Sequence, residues 1–145
     1  MLAPRLLEGL RILVVEDNLL LAEVTKLLLE DSGCQVVGPA GWLQRGLELA
    51  EHEPLDGALL DINLNGRLCF PICDVLVRRA IPFCFVTGYS HLDLIPGQYR
   101  EAPVIAKPFD PERLRSVIDN MLRGRQADHA LPPAAAFAKS TRPPS

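Results

Sequence analysis

Short, almost wholly apolar runs alternate along the chain with stretches in which apolar positions return every three or four residues. The runs are Ile12-Leu13-Val14-Val15, Val36-Val37, Ala58-Leu59-Leu60, Phe83-Cys84-Phe85-Val86 and Val104-Ile105-Ala106. Such continuous apolar character is what parallel strands covered on both faces require. Between them, Leu20, Val24, Leu27 and Leu28 fall at helical spacing, as do Leu43, Leu47 and Ala50, and then Leu68, Ile72, Val75 and Leu76. Each set predicts the buried face of a helix. The last helix has Leu114, Val117, Ile118, Met121 and Leu122 as its face, with Asp110-Pro111-Glu112 as its start and Gly124 as its stop. An acidic cap before a first-turn proline and a closing glycine are the usual boundary signals, and Gly33 plays the closing part for the first helix. From Gly88 to Ala102 the alternation falters, because Pro96-Gly97 breaks any helix there. The fourth helix is therefore expected to be short, or a loop.

Five strands alternating with helices predict an α/β domain: a doubly wound, flavodoxin-like, five-stranded parallel sheet with strand order 2-1-3-4-5. The domain is expected over residues 9–124, preceded by an extension over 1–8 and followed by a Pro/Ala-rich tail over 125–145, with no sustained period and few large apolar residues. A chain of 145 residues holds one such core and not two. A net charge of -3 argues against a protein built to neutralise nucleic-acid phosphate. No apolar run is long enough to cross a bilayer, so membrane insertion is not expected. Cys34, Cys69, Cys73 and Cys84 lie in apolar stretches without metal-ligand spacing, which predicts buried free thiols and a cytoplasmic protein.

In sheets of this kind ligands bind beyond the carboxyl ends of the strands. There the first strand delivers Glu16-Asp17, the third Asp61, the fourth Thr87-Gly88 and the fifth Lys107-Pro108-Phe109. The expected strand order brings three carboxylates, a hydroxyl and an ammonium to one rim. Clustered carboxylates cannot all stay ionised without a cation, and an all-oxygen set suits the hard ion Mg²⁺. Metal and lysine together would favour anionic oxygens, and the Asp61 carboxylate is a competent nucleophile towards phosphorus.

In this order and spacing, Glu16-Asp17, Asp61, Thr87 and Lys107-Pro108-Phe109 resemble the receiver domain of two-component response regulators. The resemblance implies that Asp61 is the phosphoacceptor. It implies that Asp17, Asp61 and the backbone carbonyl of Asn63 ligate Mg²⁺, while Glu16 holds metal-bound water. Thr87 and Lys107 would each meet a phosphoryl oxygen, and the Lys107–Pro108 bond would be cis. The run Phe85-Val86-Thr87-Gly88-Tyr89 is similar to an alphaproteobacterial receiver subgroup with a Phe-Ala-Thr-Gly stretch at that place. Two positions depart from the family pattern. The loop Ile62-Asn63-Leu64-Asn65-Gly66 lacks the usual Met-Pro and later Asp-Gly, and Val104 stands where many receivers carry an aromatic switch residue. Tyr89, beside Thr87, is the substitute switch candidate.

The implied function is that of a single-domain response regulator. Its phosphodonor would be a histidine kinase or histidine phosphotransfer protein, and its output a downstream protein rather than DNA. Self-association is left open, since the shortened fourth helix removes part of the family's common dimer face. Two readings compete. An aspartyl-phosphate phosphatase would want an acid two residues after the nucleophile, where this chain has Asn63, so the protein is not expected to be an enzyme beyond catalysing its own phosphorylation and slow dephosphorylation. A phosphorylation-independent binding module is disfavoured by the intact acidic pair, Asp61, Thr87 and Lys107.

Overall fold

The computed structural model describes residues 7–127. Strands β1 (Arg11–Val15), β2 (Gln35–Ala40) and β3 (Gly57–Leu60) alternate with helices α1 (Leu19–Asp31) and α2 (Leu43–His52). A small hairpin of β4 (Asn63–Leu64) and β5 (Arg67–Leu68) then leads into α3 (Phe70–Arg78). Strands β6 (Phe83–Thr87) and β7 (Val104–Ala106) and helix α4 (Pro111–Ala127) complete the order. The main sheet runs β2-β1-β3-β6-β7, all parallel, which is the doubly wound arrangement. Because the helices cover both faces, β3 and β6 are buried at every position.

Two cores result. One gathers Leu13, Leu60, Ile72, Leu76 and Phe85 beneath α2 and α3; the other gathers Ile12, Leu59, Ile105, Leu114 and Ile118 beneath α1 and α4. Helix α2 lies so close to its neighbours that a Cβ on Gly46 would meet Ile72 Cδ1 at 2.6 Å. All four cysteines are free and buried. Burial pushes the Cys34 thiol up to about 11 and the Cys84 thiol to about 12, so both stay protonated at neutral pH.

Helix α1 turns a different face inward from the one its leucines suggest. Ala22, Thr25 and Leu29 are buried, while Leu20 is 76% exposed and Leu27 56% exposed. The helix is apolar nearly all round, so its period cannot select a face, and small Ala22 and Thr25 let the backbone approach the sheet. Its ends follow the sequence signals. Asn18 Oδ1 accepts from the Leu21 amide at 3.0 Å, and Gly33 leaves the helix with φ +96°. Trp42, just before α2, is 62% exposed.

The boundaries also shift. Leu7 is buried in the α1/α4 core and the Gly9 amide donates to Gly33 O at 2.8 Å, so the packed domain begins before residue 9. Helix α4 opens with Asp110 Oδ1 accepting from the Glu112 amide, but it runs through Gly124 to Ala127. A single glycine costs a helix only about 1 kcal/mol, too little to end a packed one. The remainder of the expected tail, 128–145, and of the N-terminal extension, 1–6, lies outside the described residues.

Between β6 and β7 the chain forms two 3-10 turns, Tyr89–Leu94 and Gly97–Tyr99, in place of a full helix. Buried Tyr99 stacks on Phe70 at 6.1 Å and meets Phe83 edge-on at 5.9 Å. Its hydroxyl donates to Asp74 Oδ1 on α3.

Candidate functional site

Strands β1, β3, β6 and β7 are consecutive neighbours, so their carboxyl ends share one rim. Parallel pairing also continues one residue past each strand. The amides of Glu16, Asp61 and Lys107 donate to Ala40 O, Val15 O and Thr87 O, each at 2.9 Å. The backbone of the site is thereby fixed by the sheet itself, and the side chains project from a rigid edge.

Lys107 Nζ lies 2.9 Å from Glu16 Oε1 and 3.1 Å from Asp61 Oδ2. Glu16 Oε2 accepts from the Asn18 amide at 3.1 Å, and Asp17 Oδ2 accepts from the Asn65 amide at 3.1 Å. Oxygens of Glu16, Asp17 and Asp61 all fall within 4.8 Å of one another. One ammonium thus faces three carboxylates. The shortfall shows in their titration. Burial, reinforced by the charge of Asp61, pushes Glu16 up to about 7 despite its bonds to Lys107 and Asn18. Burial likewise raises Asp61, against the opposing effects of Glu16 and Lys107. Burial alone would lower the Lys107 ammonium, but its contacts with Glu16 and Asp61 more than offset that and hold it above its ordinary value. A cluster whose buried carboxylates are pushed towards their protonated forms fits a hard divalent cation, which would neutralise the same excess through oxygen ligands.

The cluster opens into a cleft of about 370 Å³ walled by Asp17, Asp61, Asn63, Gly88, His91 and Lys107. Thr87 is completely buried behind the wall residues Gly88 and His91 that follow it in the chain. The structure therefore brings together Glu16, Asp17, Asp61, Thr87 and Lys107, with Asn63 on the wall, and the Lys107–Pro108 peptide is cis. Tyr89 stands apart, 74% exposed. The loop that departs from the family pattern is the β4–β5 hairpin, turned by Asn65 at φ 54° and Gly66 at φ 92°. Successive positive φ values at an Asn-Gly pair are the tight hairpin turn that pair favours, and here the turn carries the amide that binds Asp17.

Two contributors escape sequence reasoning. Asn65 reaches Asp17 through its backbone, which no side-chain pattern reveals. His91 reaches the cleft because the 3-10 turn after Gly88, closed by the His91 amide on Gly88 O at 3.2 Å, brings its ring back to Thr87. Its Nδ1 lies 3.5 Å from Thr87 Oγ1.

Comparison with known proteins follows the same lines. The model of the response regulator receiver domain matches residues 12–119. Sensory transduction protein LytT of Bacillus anthracis is 30% identical over 122 residues, covering 81% of this chain and 49% of LytT. Phyllosphere-induced regulator PhyR of Methylorubrum extorquens is 30% identical over 119 residues, covering 80% of this chain and 45% of PhyR. The chain thus spans about half the length of these curated relatives. The solution structure of SdrG from Sphingomonas melonis superposes with a TM-score of 0.70 at 33% identity, covering 79% of this chain and 97% of that one.

Proposed function

The chain belongs to the response regulator receiver family, and from that membership we propose that Asp61 accepts a phosphoryl group from a histidine kinase or histidine phosphotransfer protein. The observation that carries the reading is the double contact of Lys107 with Asp61 and Glu16 inside a cluster of three carboxylates. An ammonium already at Asp61 is placed to meet the phosphoryl oxygens as they arrive.

In the transfer, a carboxylate oxygen of Asp61 attacks phosphorus, the phosphorus–nitrogen bond of the donor phosphohistidine breaks, and the released imidazole takes up a proton. Glu16, Asp17, Asp61 and the carbonyl of Asn63 would hold Mg²⁺. When bound, the ion supplies charge neutralisation for the transferring group. Lys107 pairs with one phosphoryl oxygen, and Thr87 donates its hydroxyl to another. Asn63 offers no general acid where a phosphatase would need one, so the protein is a phosphoacceptor that promotes its own phosphorylation and slow dephosphorylation and is not a turnover enzyme. Output runs by protein contact or by onward phosphotransfer. Exposed Tyr89 fits a contact with that downstream partner better than an inward-swinging switch. Free thiols support a cytoplasmic compartment. The Phe85-Val86-Thr87-Gly88-Tyr89 run supports kinship with the alphaproteobacterial subgroup.

The test is incubation with acetyl phosphate and Mg²⁺, read by intact mass. One phosphoryl adduct on the wild type, lost in EDTA and absent from Asp61→Ala, is expected. A wild type that gains no adduct from acetyl phosphate or from a histidine phosphodonor refutes the reading. It would favour a phosphorylation-independent binding module, to which the engagement of Asp17 by the Asn65 amide lends some support.

A further inference from the structure

Thr87 has little freedom left except in its hydroxyl. It is completely buried, and its carbonyl is held by the Lys107 amide at 2.9 Å. A buried hydroxyl has one proton to give and needs an acceptor for it. Among the described residues, the side-chain partner of Thr87 Oγ1 is Nδ1 of His91, at 3.5 Å. That length is at the outer edge of a hydrogen bond, as resting sites often show before their ligand arrives. His91 also forms part of the cleft wall with Asp61 and Lys107, and the residue is only half-buried.

We propose that His91 positions the Thr87 hydroxyl, and that phosphorylation of Asp61 reverses the hydrogen bond between them, moving the imidazole proton from Nε2 to Nδ1. The proposal rests on Asp61 as the phosphoacceptor. In the resting site the hydroxyl donates to Nδ1. An acylphosphate oxygen in the cleft is a charged and stronger acceptor, and the hydroxyl turns its single O–H to donate a hydrogen bond to it. Thr87 Oγ1 then presents only lone pairs to His91. An unprotonated Nδ1 would face them with a lone pair of its own, so the neutral ring adopts the other tautomer. The proton leaves Nε2 and arrives at Nδ1 by way of solvent, with no net uptake. At the outer edge of the ring a donor becomes an acceptor, two residues from exposed Tyr89. The chain thereby gains a phosphorylation signal at its surface without an aromatic residue at position 104.

The experiment uses the full chain with nitrogen-labelled histidine, Mg²⁺ and beryllofluoride as the phosphoryl probe. Comparison with His91→Asn separates the His91 signals from those of His52 and His129. Nδ1 of His91 is expected to be unprotonated before the probe and protonated when fluorine signals show it bound, and Thr87→Val is expected to abolish the change. In kinetics, His91→Leu should lower the maximal rate of phosphorylation by acetyl phosphate by about fivefold, the worth of one neutral hydrogen bond, without raising the half-saturating donor concentration. His91→Asn, which places an amide near the Nδ1 position, should restore most of it. An Nδ1 that stays unprotonated with beryllofluoride bound overturns the proposal, as does a wild-type maximal rate in His91→Leu. If the wild type binds no beryllofluoride and takes no phosphoryl group, the phosphoacceptor reading has failed, and this proposal with it.

Discussion

Glu16 offers the sharpest energetic test of the site. Burial and the neighbouring Asp61 charge move its pKa from 4.5 to about 7. The folded state therefore holds a proton there that the unfolded state has released, throughout the interval between those values. Stability must fall as pH rises across it. Each unit corresponds to about 1.4 kcal/mol, so above neutrality the ionised carboxylate costs the metal-free fold about 3 kcal/mol. Glutamine has the shape of the protonated acid and cannot ionise. Glu16→Gln should therefore leave stability nearly unchanged at about pH 4.5 and raise it by up to about 3 kcal/mol at about pH 8, roughly 10 °C in Tm for a domain of this size. The measurement is thermal and urea denaturation of both proteins in EDTA at the two pH values. Mg²⁺ should stabilise the wild type more at the higher pH, because the ion and the proton compete for the same oxygens. The reasoning fails if Glu16→Gln is no more stable than the wild type at about pH 8, or if its gain is the same at both.

Three further substitutions probe the packing. Leu29→Ala empties a site that is 2% exposed and should cost about 2–5 kcal/mol in urea denaturation, whereas Leu20→Ala, at 76% exposure, should stay within about 0.5 kcal/mol. Equal costs would mean that α1 is rotated from the position described. Tyr99→Phe keeps the ring stacking but loses the bond to Asp74, and should cost about 1 kcal/mol while leaving phosphorylation by acetyl phosphate unchanged. A lower labelling yield would tie this bond to the cleft.

The sheet and the rim were legible because each strand is a compact apolar run, and in the four that meet at the rim the next residue is polar. Once the strand order is fixed, Glu16-Asp17, Asp61, Thr87 and Lys107 have nowhere to go but one edge. The face of α1 was not legible, because Leu19, Leu20, Leu21, Leu27, Leu28 and Leu29 surround the helix. What selects the inner face is the smallness of Ala22 and Thr25, a property of close approach that apolar period does not measure. Gly124 misled in the opposite direction, since its weak local preference yields to the packing of α4 on β7. The hairpin did carry a signal in Asn65-Gly66. Its contact with Asp17, however, joins residues 48 apart through a backbone amide. His91 was hidden because a 3-10 turn, not an α-helix or a strand, sets its relation to Thr87.

The segment between β6 and β7 also decides where movement at the cleft can go. The turn Tyr89–Leu94 buries none of its residues, while Ile95 and Tyr99 beyond it are 7% and 4% exposed. A long helix in this place would spread a push from Thr87 along its own ladder of hydrogen bonds and into its packed face. Here the near half touches the core through half-buried Leu92, and the far half is pinned by aromatic rings. The anchors of the segment are Ile95 and Tyr99, both beyond the turn that borders the cleft. What lies between the cleft and those anchors is therefore mostly surface, with Tyr89 at 74% exposure the large apolar residue of the turn most open to a partner.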